Sequence, residues 1–191
     1  MKKPFNPNLL PVNLEQREII EILKREVEAR TVLERLNSLL ERSVIKNLIL
    51  MIFSMDESIQ STKIEGTQAT FSEMMEYGVT GKRTEDTQEV TNYLKAIDFG
   101  YELLQRMPIS TRMFHQLHEI ILENSRGQNR SPGQFRKIQN FIGPTSKIED
   151  ASYIPPEPQT IDALISNLEK YINDEFNDDF GRIARAAIIH A

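Results

Sequence analysis

Ser61 and Glu65 stand four residues apart, and Gly66 follows directly. On a helix that spacing puts both side chains on one face, and Gly66 falls where helices commonly stop in the left-handed conformation. Glu65 then occupies the last turn, against the negative end of the helix macrodipole, at a cost of about half a kcal/mol. A cationic partner elsewhere would account for a carboxylate kept in that place; the other reading is an ordinary helix end. Two of the three histidines, His115 and His118, are three apart and could in principle share a metal. More often one such histidine is packed and the other solvated. No His-Glu-x-x-His or comparable ligand pattern occurs, so no metal site is expected.

The elements that must position these residues follow from hydrophobic period. Residues 1–12 hold three prolines and read as an extended arm, laid over the surface by Leu9, Leu10 and Val12. Asn13 can cap a helix whose apolar stripe (Ile19, Ile20, Leu23, Val27, Leu33, Leu36, Leu40) runs over about 14–41, either continuous or broken in the middle. Its other faces carry Glu, Arg and Lys, as expected of a solvated surface with i,i+4 pairs. Ser43 or Asn47 can start the next helix, where Ile45, Leu48, Ile49, Ile52, Met55 and Ile59 line one side and lead into Ser61 and Glu65. The motif is thus expected at the polar end of an otherwise buried helix.

Thr70 and Glu73 have capping-box spacing and predict a short helix through Tyr77, with 78–86 as a connection. A cap within 86–89 precedes the cleanest helical stripe, Val90 to Leu104, which Pro108 ends; Ser110 then caps a helix with Met113, Phe114, Leu117, Ile121 and Leu122 inward. From 124 to 158 the helical period disappears. There 135–142 and 151–154 read as two short strands of a hairpin around the turn at 143–146. Helical pattern returns at Gln159, breaks over 173–179 and resumes near Phe180.

A chain of 191 residues can bury a sizeable core in one domain or in a domain with an appended helical subdomain. With 39% hydrophobic and 27% charged residues and no long apolar run, neither a membrane span nor an exported leader is expected. The net charge of −5 disfavours nucleic acid as a main partner, and the absence of cysteine fits a reducing cytoplasm.

Taken together, the landmarks resemble the Fic family, in the form whose inhibitory helix precedes the core. That family's inhibitory motif is Ser or Thr, three residues, Glu, then Gly or Asn, and 61–66 matches it; Thr62, Ile64 and Thr67 fit its longer form. Glu89-Val90 with Asn92-Tyr93, Leu117-His118, Pro132-Gly133-Gln134-Phe135-Arg136, Ile142-Gly143 and Tyr153-Ile154-Pro155-Pro156 resemble further landmarks in the family's order, and 186–191 resembles the approach to its catalytic loop. The resemblance implies a mainly α Fic-type helical bundle: an N-terminal helical subdomain with the inhibitory motif at 1–81, then the first part of the core with a small β-hairpin flap at 82–191.

It further implies a protein adenylyltransferase that moves AMP from ATP, with Mg2+, to a Ser, Thr or Tyr hydroxyl of a target protein. Ser61, Glu65 and Gly66 are implied to block the γ-phosphate site by pairing with an arginine of the catalytic motif. The flap, 137–143 with 151–155, is implied to dock the target through Gln139, Asn140, Phe141, Ile142, Gly143 and Ile154. The catalytic motif, His-x-Phe-x-(Asp/Glu)-Gly-Asn-Gly-Arg, is missing from the 191 residues. His190 is not its histidine, so the chain alone is expected to be inactive, with no catalytic residue and no tightly bound ATP or Mg2+, as a truncated piece or a natural remnant. A homodimer is one expectation. Alternatives are a non-catalytic helical interaction or regulatory module, and a Fic enzyme that transfers another phosphate-linked group.

Overall fold

A computed structural model describes residues 3–173 and 180–191. The protein is mainly α. Its helices are α1 (Gln16–Glu41), α2 (Lys46–Ile64), α3 (Phe71–Thr80), α4 (Glu85–Leu104), α5 (Thr111–Ile121), α6 (Ile161–Ile172) and α7 (Arg182–His190), with short 3-10 turns at Ile148–Asp150 and Pro158–Thr160. Two compact units divide it: Leu36–Gln134, and Met1–Arg35 together with Phe135–Ala191.

In the unit Leu36–Gln134, α4 packs on α2, α3 and α5. Ile59, Ala69, Met74 and Val90 form its buried cluster, with Met55, Tyr77 and Leu94 against it. Helix α3 starts where Thr70 accepts from the Glu73 N–H while the Glu73 carboxylate accepts from the Thr70 N–H, and it ends at Gly81 with φ 70°. It runs three residues past Tyr77. Helix α4 begins earlier than the cap expected within 86–89, because Thr84 and Thr87 form a reciprocal box of their own.

Helix α2 departs from its expected burial. Ile45, Leu48 and Ile52 are 54, 49 and 38% exposed, and only Ser58, Ile59 and Thr62 of the helix are buried. The cluster that covers α2 reaches back only to Met55; apolar period reveals which side of a helix is greasy, not how far its cover extends. The stripe of α1 is continuous but only partly covered: Ile19, Leu23 and Leu40 are half-buried, Ile20, Val27, Leu33 and Leu36 are exposed, and no residue of that helix is buried. Its charged faces carry the pairs Arg25–Glu21 at 3.2 Å and Arg30–Glu34 at 2.9 Å.

In the other unit, Asn167 of α6 grips the proline-rich arm. Its side chain accepts from the Leu10 N–H at 2.7 Å and donates to the Leu10 carbonyl at 2.8 Å, as a neighbouring strand would. The Arg185 guanidinium of α7 lies 4.9 Å from the ring centre of the buried Tyr171 and donates to that residue's carbonyl. Of the polar break expected over 173–179, residues 174–179 lie outside the described residues.

The expected hairpin is not formed. Among the described residues there is no strand; one isolated antiparallel bridge joins Ile142 and Tyr153. Side chains take the acceptors that a ladder would use: Gln139 donates to the Pro155 carbonyl at 3.0 Å, and Arg136 donates to the carbonyls of Pro156 and Ile138. Pro155 and Pro156 have no N–H to offer a partner strand, so pairing stops after one bridge.

Candidate functional site

The sequence at the end of α2 builds a Schellman turn. Glu65 is the C-cap residue, at φ −85° and ψ 1°, and Gly66 follows at φ 96°. The Gly66 N–H donates to the Lys63 carbonyl at 3.0 Å and the Thr67 N–H to the Thr62 carbonyl at 3.2 Å. Only glycine takes that φ without strain. Ser61 is half-buried and Glu65 is exposed. Among the described residues the Glu65 carboxylate has no hydrogen-bond or ion-pair partner, and Lys63, the basic residue of that turn, reaches Gln60 instead.

Beyond Gly66 the chain is tied to residues far along the sequence. The Thr67 hydroxyl, on a residue only 1% exposed, donates to Glu89 Oε2 of α4 at 2.5 Å. Arg126, in the loop after α5, forks onto that carboxylate through Nε to Oε1 at 2.8 Å and Nη2 to Oε2 at 2.6 Å. Nη2 also reaches Asp86 Oδ1 at 2.9 Å. The Arg126 guanidinium, ahead of the Thr67 hydroxyl, holds the Glu89 carboxyl below the usual carboxylate range, and Glu89 in turn holds Arg126 firmly protonated.

One turn further along α4, fully buried Asn92 donates to the carbonyls of Ile121 and Glu123 at 3.1 and 2.6 Å. These are orphan acceptors at the end of α5, so Asn92 supports the loop that presents Arg126. His118 has a structural task as well: its Nδ1 accepts from the Gly133 N–H at 3.0 Å. Gly133 has φ 69°, and a Cβ there would run into the Glu119 side chain. The spacing of Glu89 and Asn92, one turn apart, could have suggested a shared face. Nothing in the sequence marked Arg126 as their partner, because it sits in a stretch that reads only as loop.

The residues expected to dock a target fall in one segment of the other unit. Ile142 donates to the Tyr153 carbonyl at 2.8 Å and accepts from the Ser152 and Tyr153 N–H groups at 2.7 and 3.1 Å. The residue is 65% exposed, whereas Ile154 is 4% exposed. Gly143 backs onto the main chain of Ala151, where a Cβ would come within 3.0 Å of Ala151 Cα. Gln139 also bonds the Asn140 carbonyl, Asn140 is exposed and Phe141 is half-buried. Among the described residues the main-chain N–H groups of Phe141 and Gly143 have no partner. They flank the bridged Ile142, on the edge opposite Tyr153.

Two family models match the chain: one described as Fic/DOC family N-terminal over residues 23–102, the other as Fic/DOC family over 108–191. The chain belongs to the Fic/DOC family. No curated protein matches it. Members of this family generally transfer phosphate-linked groups onto proteins. The N-terminal Fic match takes in the turn at 61–67 with Asp86, Glu89 and Asn92 of α4; the second match takes in Arg126, His118 and the bridged segment. No helix among the described residues is long and apolar enough to cross a membrane.

The residues around the end of α2 do not fit a triphosphate or its magnesium ion. The charged side chains exposed there are the Glu65 carboxylate, which repels phosphate, and Lys63, which is drawn to Gln60, and the described residues hold no group of three metal-capable side chains.

Proposed function

We propose that this Fic/DOC chain is part of a self-inhibited protein adenylyltransferase, in which Glu65 takes the arginine that would otherwise hold the γ-phosphate of ATP. One observation supports this most: a carboxylate at the unfavourable end of a helix, exposed and unpaired, on a turn whose main chain is fixed by glycine geometry and a side-chain clamp. An ordinary helix end has no need of that combination. Ser61 and Gly66 set the face and the stop of the same turn. In this reading ATP would supply the AMP group and Mg2+ would offset the charge of its phosphates. Neither is assigned to a residue of this chain.

The target would be a protein Ser, Thr or Tyr hydroxyl, aligned along the segment of Gln139, Asn140, Phe141, Ile142, Gly143 and Ile154. The unpaired N–H groups of Phe141 and Gly143 support that role, since an extended target chain can add to such an edge. We place the protein in the cytoplasm, where a chain without cysteine loses nothing.

The test uses a version of the chain extended through the family's catalytic motif. With ATP labelled at the α-phosphate, Glu65→Gly is expected to raise protein labelling about tenfold or more, the worth of one charge-assisted contact. An unchanged rate would show that Glu65 does not restrain the site. Label kept from the γ-phosphate instead would make the transferred group phosphoryl. The 191-residue chain alone should label nothing, and labelling by it would overturn the assignment.

A second reading is a helical interaction module. The exposed Leu48, Met51, Ile52 and Phe53 of α2 favour it. A size measurement at rising concentration separates the two: a monomer throughout counts against the module, and a tight dimer counts for it.

A further inference from the structure

The hydrogen bonds within the α2 end fix its local shape but not its place in the unit, and helix ends fray. Place must come from long-range ties, and Thr67 provides one two residues beyond Glu65. Its partner Glu89 lies 22 positions away, and the arginine that holds Glu89 lies a further 37 positions along. The Glu89 side chain is 17% exposed and that of Arg126 47%, so the inner bond of the relay is shielded and its outer cation is not. Helix α4 thus orients both ends of the relay, Glu89 toward the turn and Asn92 toward the loop that carries Arg126.

We propose that Glu89 and Arg126 are positioning residues for Glu65: the carboxylate of Glu89, squared by the Arg126 fork, holds the Thr67 hydroxyl and so fixes where the inhibitory turn sits. This rests on the reading of Glu65 as a brake. The apolar cluster of Ile59, Ala69, Met74 and Val90 already attaches α2 and α3 to α4. The polar relay is therefore surplus to attachment. It restricts the rotation and fraying of the last turn, which apolar contacts leave free because they lack direction. A brake that competes for one guanidinium needs that direction more than it needs extra stability.

Two measurements test this on Glu89→Gln and on Thr67→Val, which removes the hydroxyl and little volume. In the 191-residue chain, amide hydrogen exchange at Gly66 and Thr67 is expected to quicken roughly tenfold, as for a lost charge-assisted bond, while amides within α5 keep their rates. Equal rates everywhere, or a uniform rise across the unit, would overturn the proposal. In the version that carries the catalytic motif, each substitution should raise transfer when Glu65 is present and change nothing in the Glu65→Gly background. A merely structural role would lower transfer in both backgrounds. If Glu65→Gly raises transfer and Glu89→Gln does not, the positioning role alone falls. If Glu65→Gly has no effect, the brake falls and takes this inference with it.

Discussion

The turn after α2 and the segment 137–155 are both made of loop-forming residues, yet they are restrained in opposite ways. The turn is held by side chains from α4 and from the loop after α5, which meet at the charged centre of Glu89 and Arg126. The segment is held mostly by its own neighbours: one main-chain bridge, the Gln139 and Arg136 side chains on nearby carbonyls, and the burial of Ala151 and Ile154. Its other limb, with Ile138 and Ile142, stays in solvent. A turn held by directed charge has one place to be. A segment anchored on one side keeps an edge open, which fits the target alignment proposed for it better than the restraint proposed for Glu65.

The sharpest way to break this contrast is to remove each region's anchor. Ile154→Ala should cost about 2–4 kcal/mol of unfolding free energy, the usual loss for a buried isoleucine, read by circular dichroism in urea because the chain has no tryptophan. A loss under about 1 kcal/mol would mean that the segment is not anchored there. Asn92→Ala should cost about 1–3 kcal/mol, since it strips partners from the Ile121 and Glu123 carbonyls. In the same variant the Arg126 loop should loosen, visible as faster amide exchange over 123–127. Unchanged exchange there would separate Asn92 from the clamp.

Acid gives a gentler test. The Glu89 carboxyl titrates below its ordinary value near 4.5, chiefly because of Arg126, with Asp86 and Glu85 as the other charges near that guanidinium. A lowered folded-state value means that the contribution is fully present above the ordinary value and is lost as pH falls through the lower folded one. Glu73, lowered by its bonds to Thr70, acts in the same direction. Stability of the Glu89→Gln variant should therefore fall less steeply in that acid window than that of the parent. Parallel acid limbs would remove Glu89 from the account.

Much of the turn was legible in the residues themselves. Gly66 needs its left-handed backbone, and Thr70 with Glu73 forms the box that their spacing implied. The order of landmarks pointed to the family that the two matches show. What the sequence hid were consequences of distance. Thr67 reads as a polar loop residue until Glu89 is beside it, and Arg126 reads as a solvated charge. The apolar side of α2 was visible, but the extent of its cover depends on where α3 and α4 lie. The hairpin failed for a local reason that the prolines already carried: strand-like residues at 135–142 found a partner limb whose next donors, Pro155 and Pro156, have no N–H.

The smallest expected effect sharpens the contrast most. Ile142 joins the bridge only through its main chain, and the residue is 65% exposed. Ile142→Ala keeps both bridging groups and removes mainly surface that water already touches, so unfolding free energy should move by no more than about 0.5 kcal/mol. If the segment aligns a target as proposed, the same change should still slow labelling of that target in the motif-carrying version, because an exposed isoleucine beside an open edge is what an added chain would pack on. It should leave labelling unchanged when the accepting hydroxyl lies on a short peptide that cannot span the edge. A stability loss comparable to that of Ile154→Ala would show instead that Ile142 is a core residue, and the two limbs would no longer differ.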